Sequence, residues 1–297
     1  MNETISRRTA LTTVSTVGAT TVASIAAALS DRVGRAEAAV VEGMKGRINH
    51  SVCKWCYAKI PLEDLCQAAK GIGLSSIELL GPDEWATLRK YDLTCAMPNG
   101  AGYGIEKGWN RLENHDGLVE SYSSVIPKVA AAGLDKIICF SGNRAGLDDE
   151  KGIQSCSVGL KRLMPLAEKH KVTVVMELLN SKVNHKDYQC DHTAWGAELC
   201  KQVGSERFKL LYDIYHMQIM EGDMIATIKK FHPYIAHYHT GGVPGRAEID
   251  DSQEIYYPAV MKAILDTGFK GFVAQEFVPK RQDALASLKQ GVRICDV

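Results

Sequence analysis

Along the chain, short apolar runs alternate with longer stretches whose apolar residues recur at three- and four-residue spacing. The first pattern belongs to strands buried on both faces, the second to helices with one inward stripe. Strands are expected at Arg47 to His50, Ser76 to Leu79, Leu93 to Met97, Lys136 to Phe140, Thr173 to Glu177, Phe208 to Tyr212, Ile235 to His239 and Gly271 to Glu276. Helices are expected between them, at Pro61 to Gly71, Pro82 to Lys90, about Asp116 to Ala132, a long stretch ending at His170, Asp191 to Val203, Met224 to Lys230, Pro258 to Thr267 and Gln282 to Gly291. Leu62, Leu65, Ala69 and Ile72 make one inward stripe, and Leu118, Tyr122, Val125 and Val129 another. Pro127 and Pro165 fall inside helical patterns and predict kinks or boundaries there.

The phrases Gly73-Leu74-Ser75-Ser76-Ile77-Glu78, Gly133-Leu134-Asp135-Lys136-Ile137-Ile138 and Gly268-Phe269-Lys270-Gly271-Phe272-Val273 each read as helix stop, short turn, strand. Eight such units make an α/β fold with a single (β/α)8 TIM barrel the simplest architecture, with no second domain. A longer connection, Asn99 to Gly104 and on to Trp109, reads as a functional loop on the top face, where Trp55, Tyr103 and Trp109 would wall a pocket.

The first 38 residues stand outside this pattern. Ser6-Arg7-Arg8-Thr9-Ala10-Leu11 sets paired arginines before a mildly apolar segment, and Ala36-Glu37-Ala38 fits a small-residue cleavage site, so residues 1–38 resemble a twin-arginine export signal. An uncleaved anchor is the alternative, but the Gly, Thr and Ser content makes a poor spanning helix. Residues 39–297 then match the ~250 residues of one barrel. The expected location is periplasmic, without stable membrane insertion once the signal is removed. Acidic and basic residues balance at 35 each, with a pI near 7.1, so no electrostatic footprint for nucleic acid exists. The 9 cysteines are odd in number and irregularly spaced, unlike a disulfide framework. Cys53-Lys54-Trp55-Cys56 lacks the helix start of a redox motif.

Four consecutive expected strands end in Glu177, Asp213, His239 and Glu276. In a parallel barrel the carboxyl ends of the strands face the ligand, so these residues would crowd three negative charges into one mouth. That arrangement is costly unless a cation neutralises it. Oxygen-rich ligation with one imidazole suits one divalent metal ion, Mg²⁺ or Mn²⁺ before Co²⁺ or Zn²⁺. Each of these residues alone reads as a cap or an ion-pair partner; the joint pattern reads as a site. His50 and Glu78 end the first two expected strands and would stand behind the ligands. His185, His192 and His232 form no separate metal spacing.

Glu177-Leu178-Leu179-Asn180, the run Asp213-Ile214-Tyr215-His216-Met217-Gln218 with Glu221-Gly222-Asp223, His237-Tyr238-His239 with Pro244-Gly245-Arg246, and Gln275-Glu276 together resemble the hydroxypyruvate isomerase branch of the xylose isomerase-like TIM barrels. The resemblance implies a single metal on Glu177, Asp213, His239 and Glu276, with Glu177 and Glu276 also serving as the acid/base pair. It also implies substrate contacts from His216, Arg246 and Asn180, and pairing as a homodimer. Hydroxypyruvate isomerases usually carry Gln where this chain has His239; ketose 3-epimerases carry His there, but they also place a Glu where this chain has Val183.

The implied activity is aldose–ketose isomerisation of a small hydroxy-carbonyl acid or sugar through an enediolate, hydroxypyruvate being the named example. A sugar 3-epimerase or dehydratase on the same metal site is the alternative. Phosphodiester hydrolysis would need several metals and a basic groove. A non-catalytic sugar-binding protein would bind without exchanging a substrate proton.

Overall fold

The computed structural model describes residues 43–297. The expected export signal lies outside the described residues. Seven strands build one curled, fully parallel sheet: β1 (Asn49–Cys53), β2 (Ser76–Glu78), β3 (Lys136–Cys139), β4 (Thr173–Glu177), β5 (Phe208–Asp213), β6 (Ile235–Thr240) and β7 (Phe272–Gln275). Their spatial order is β2-β1-β7-β6-β5-β4-β3. Around them lie α1 (Leu62–Ile72), α2 (Trp85–Lys90), α3 (His115–Ala131), α4 (Asp149–His170), α5 (Thr193–Val203), α6 (Ile214–Met220), α7 (Met224–Phe231), α8 (Tyr257–Asp266) and α9 (Ala284–Cys295).

The sheet is barrel-like, but it corrects the expectation of eight strands. Residues 93–98 occupy the gap between β2 and β3 without forming a strand. The peptide N–H groups of Ile77 and Leu79 donate to the carbonyls of Thr94 and Met97, and Thr94 donates back to Ser75. Toward β3 this segment makes, among the described residues, a single backbone bond, from Ile138 N to the carbonyl of Pro98 at 3.3 Å. A proline has no N–H to give a central ladder, so the pairing stops where Pro98 enters.

A second correction concerns the start of the sheet. β1 (Asn49–Cys53) starts two residues later than expected and runs three residues past His50, so that Cys53 rather than His50 stands at the top. Pairing fixes this register: Asn49 lies beside Phe272 and Cys53 beside Glu78. His50 consequently sits at the bottom, where its ring meets Asp296 at 3.6 Å, and it takes no part in the pocket. Neither Pro127 nor Pro165 ends its helix. Buried residues on both sides of each proline, Ile126 and Val129 in α3, Leu163, Met164 and Ala167 in α4, hold the helix together through tertiary packing.

Most of the apolar core lies between sheet and helices. A smaller cluster, Met97, Ile138, Val175 and Leu211, fills the barrel interior. Ile138 and Val175 are register partners, as are Leu211 and Glu177. Met97 comes from the irregular segment, so that segment packs like a strand without pairing like one. Because side chains alternate along a strand, the residue two beyond Leu211 again faces inward, and that residue is Asp213. The apolar plug thus carries a polar layer above it.

Candidate active site at the barrel mouth

Asp213 and His239 are register partners at the ends of β5 and β6, and both are fully buried. Glu177 closes β4, and Glu276 follows β7. One donor atom from each of these four residues lies within 4.8 Å of the others. His239 Nδ1 stands 2.6 Å from Glu276 Oε2 and 3.2 Å from Glu177 Oε1. Asp213 also caps α6, its Oδ1 accepting the His216 N–H at 3.2 Å. One carboxylate thereby fixes where β5 ends, where α6 begins and where the second oxygen points.

Arg246, on the loop after β6, penetrates this layer. Its Nη2 donates to Asp213 Oδ2 at 3.0 Å and to Glu276 Oε2 at 2.5 Å, and its Nε donates to the Glu276 carbonyl. Nη1 lies 2.9 Å from His216 Nε2. The guanidinium is flanked by the rings of Trp55 and Tyr215 at 5.3 and 5.2 Å, within cation–π reach. A guanidinium carries five N–H donors, and these contacts engage four, which leaves one on Nη1.

His216 was expected to touch a substrate oxygen; the structure gives both ring nitrogens protein partners. Nε2 accepts from Arg246, and Nδ1 lies 3.1 Å from the Asn180 backbone nitrogen and 2.6 Å from its side-chain amide. Asn180, expected to contact the substrate, thus reaches His216, and its side-chain oxygen accepts from the N–H groups of Val183 and Asn184.

Electrostatics divide the carboxylates. Burial, reinforced by the charge of Glu276, pushes Glu177 up. Burial also lifts Asp213, to about 7, against the pull of Arg246. For Glu276 burial is outweighed by Arg246 and His239, which hold it well below the usual carboxylate range. His239 is held well above an ordinary histidine despite its burial, chiefly by Glu276. His216 goes the other way, lowered by burial and by the adjoining guanidinium.

The donor set fits a divalent ion. Ligand atoms ~2.0–2.4 Å from a shared cation stand up to ~4–5 Å apart, the spread seen in this cluster. Glu177 Oε1 and His239 Nδ1 are buried, aimed at the same space and without a well-formed hydrogen bond to the protein. Such orphaned atoms call for a partner.

A cavity of about 530 Å³ opens beside the cluster. Of the four clustered residues, Glu177 and Glu276 line it, and Arg246 and Trp55 join them. The opposite wall is the glycine-rich connection from Asn99 to Trp109, backed by Leu118, Tyr122 and Phe140. Gly100 fits there because a Cβ would stand 2.6 Å from the carbonyl oxygen of Ile138. Trp109 and Trp55 wall this space, and Tyr103 lines a neighbouring outer groove. Cys53 and Cys56 are both free thiols.

Sequence reasoning treated Trp55 as a pocket wall and missed its bond: Nε1 donates to Glu276 Oε1 at 2.7 Å. It also missed His185, whose ring packs at a tilt against His216 with centroids 5.3 Å apart and borders the cavity. No spacing rule connects Trp55 with Glu276 across the closed sheet. Only the β1–β7 pairing brings them together.

Comparison with known proteins adds independent information. The family model described as xylose isomerase-like TIM barrel matches residues 66–295. The chain is 33% identical over 228 residues to a 2-oxo-tetronate isomerase of Cupriavidus necator, covering 73% of this chain and 87% of that protein. It is 28% identical over 165 residues to the hydroxypyruvate isomerase of Escherichia coli K12, covering 54% of this chain and 62% of that protein. Alignments with human and mouse relatives span 38% and 44% of those proteins, less than half of their length. Among solved structures, one titled AP endonuclease, family 2, from Brucella melitensis superposes with a TM-score of 0.72 at 21% identity, covering 82% of this chain and 96% of that one. At that identity the likeness speaks for the fold.

Proposed function

The chain belongs to the xylose isomerase-like TIM barrel family, and from that premise we propose that it is a metal-dependent aldose–ketose type isomerase of short hydroxy-carbonyl acids. The observation that carries this reading is the cluster of Glu177, Asp213, His239 and Glu276, four buried donors gathered at the edge of one cavity. The names of the relatives from Cupriavidus necator and Escherichia coli support a substrate of the hydroxypyruvate or 2-oxo-tetronate kind. The paired arginines Arg7 and Arg8 support export of the folded enzyme.

Isomerisation moves one proton between adjacent carbons and a second from the hydroxyl to the carbonyl oxygen, and negative charge develops on both oxygens as it does so. A divalent cation held by the four residues would stabilise that charge as a Lewis acid. Glu177 and Glu276 are the two clustered carboxylates that line the cavity, so they exchange the carbon-bound proton: one removes it and the other, protonated, returns a proton to the neighbouring carbon. Asp213 and His239 stand behind them as ligands. Arg246 has one Nη1 hydrogen free, which it directs to a substrate oxygen. His216 and Asn180 hold that guanidinium in place. Trp55 fixes Glu276 and, with Trp109, keeps bulk water from the reacting carbons.

Incubation of the Mn²⁺-loaded protein in D₂O with hydroxypyruvate, four-carbon keto acids, pentoses and ketohexoses tests the proposal. Deuterium should enter a carbon next to the carbonyl, with isomer formation read by NMR. Exchange with inverted configuration and no isomer would instead make the protein an epimerase. Absence of exchange with every compound would overturn both.

A further inference from the structure

The ligand layer stands on a second buried polar layer that the proposed reaction does not use. Glu78 ends β2, and its carboxylate reaches under His239. One oxygen, Oε1, lies 2.8 Å from Nε2 of His239 and also 2.8 Å from Nε2 of His237, with all three side chains fully buried. The opposite edge of the His239 ring, at Nδ1, is the one turned toward Glu177 and Glu276. A carboxylate only accepts, so each imidazole must present a proton on Nε2 to this oxygen.

We propose that Glu78 is a positioning residue for the cation: by holding the Nε2 proton of His239 it leaves the Nδ1 lone pair facing the space shared with the three carboxylates. His237 donates to the same oxygen and stops the carboxylate from turning away. The two rings meet edge to face with centroids 5.2 Å apart, which leaves neither free to rotate without displacing the other. This inference rests on the four-residue ligand set described above and extends it by a carboxylate that never touches the ion. A bond of this kind orients a ligating histidine and strengthens its basicity.

The layer is not a second cation site. Cys53 Sγ lies 3.9 Å from both Glu78 Oε1 and His239 Nε2, which brings three donor types together. Yet Oε1 already serves two imidazoles, and burial keeps the Cys53 thiol protonated.

The test titrates Zn²⁺ into metal-stripped full-length protein, wild type and Glu78→Gln, by calorimetry, and records ¹H–¹⁵N spectra of the histidine rings in the zinc-loaded wild type. Glu78→Gln keeps the shape and removes the charge, and it should weaken zinc binding about 10–100-fold. Glu78→Asp should recover part of that loss, which a merely packing role would not allow. In the wild-type spectrum His239 should carry a slowly exchanging proton on Nε2 and the zinc-induced shift on Nδ1. This second readout needs no variant to fold. Equal affinities, or a zinc shift on Nε2, would overturn the positioning role alone. Failure of the wild type to take up zinc would overturn the four-residue ligand set and this inference together.

Discussion

The two sides of the barrel wall are built to different rules. From β4 round to β7 every strand is paired on both edges, with one register shift at Leu210/Leu211 where β5 meets β6, and all four clustered donors come from or directly follow the upper ends of these strands. Between β2 and β3 the wall is closed by an irregular segment that bonds to β2 but meets β3 only where Pro98 accepts from Ile138, and the loop that follows lines the cavity. Precision in the donors needs backbone held by neighbours on both edges, whereas room for a substrate needs backbone that has left the ladder. The comparison teaches that the four clustered donors and the glycine-rich wall of the cavity are assigned to separate arcs of one sheet.

The largest effect expected concerns the donor arc. Glu276→Gln should lower turnover of any accepted substrate about 10²–10⁴-fold. The fold should survive, because a neutral side chain of equal size leaves the surrounding packing alone; circular dichroism and steady-state kinetics check both halves of the statement. If turnover barely changed, the donor arc would not be the reacting one.

Next comes the apolar plug. Leu211 is fully buried and sits two residues below Asp213 on the same strand face. Leu211→Ala should destabilise the protein by about 2–5 kcal/mol in denaturant unfolding. Because the cavity opens directly beneath the donors, zinc affinity should fall as well. A stability loss with unchanged affinity would uncouple the plug from the site.

Asp191 probes the periphery of the donor arc by pH. It is buried, and although burial opposes the charged form, bonds from His192, Arg144 and Ser181 hold its pKa at about 2. A carboxylate depressed in the folded state contributes stability that is complete above its unfolded value near ~3.9 and lost as pH falls through about 2, here on the order of 2 kcal/mol. Asp191→Asn should flatten the stability profile across that acid window, as measured by urea unfolding at fixed pH steps.

The smallest effect should come from the cavity arc. The Tyr122 hydroxyl donates to the Ile138 carbonyl at 2.8 Å, on the edge strand where pairing ends. Tyr122→Phe should cost about 1 kcal/mol of stability, the net worth of a buried hydrogen bond. Zinc affinity should stay at the wild-type value. A matching drop in affinity would show that the two arcs are not independent.

Much of this was legible before folding. The strand ends Glu177, Asp213, His239 and Glu276 could be read because apolar runs followed by a single charged or imidazole residue are local features, and parallel packing dictates that their ends share one face. Ordering of the helices followed from local periodicity for the same reason. Less legible were the strand limits near the beginning: Asn49-His50-Ser51 offers no apolar contrast, so only pairing with β7 settles its register. Leu93 to Met97 has strand-like residues, yet its pairing depends on Pro98 and on two neighbours distant in the chain.

What the sequence determined by itself was most of the elements and the identity of the residues gathered at one rim, since both arise from interactions within a turn or a strand. Tertiary structure decided the partnerships: Arg246 between Asp213 and Glu276, Trp55 on Glu276, Glu78 beneath two histidines. These contacts join residues far apart along the chain through hydrogen bonds a few ångströms long, and no local pattern encodes a distance that only the closing of the sheet creates.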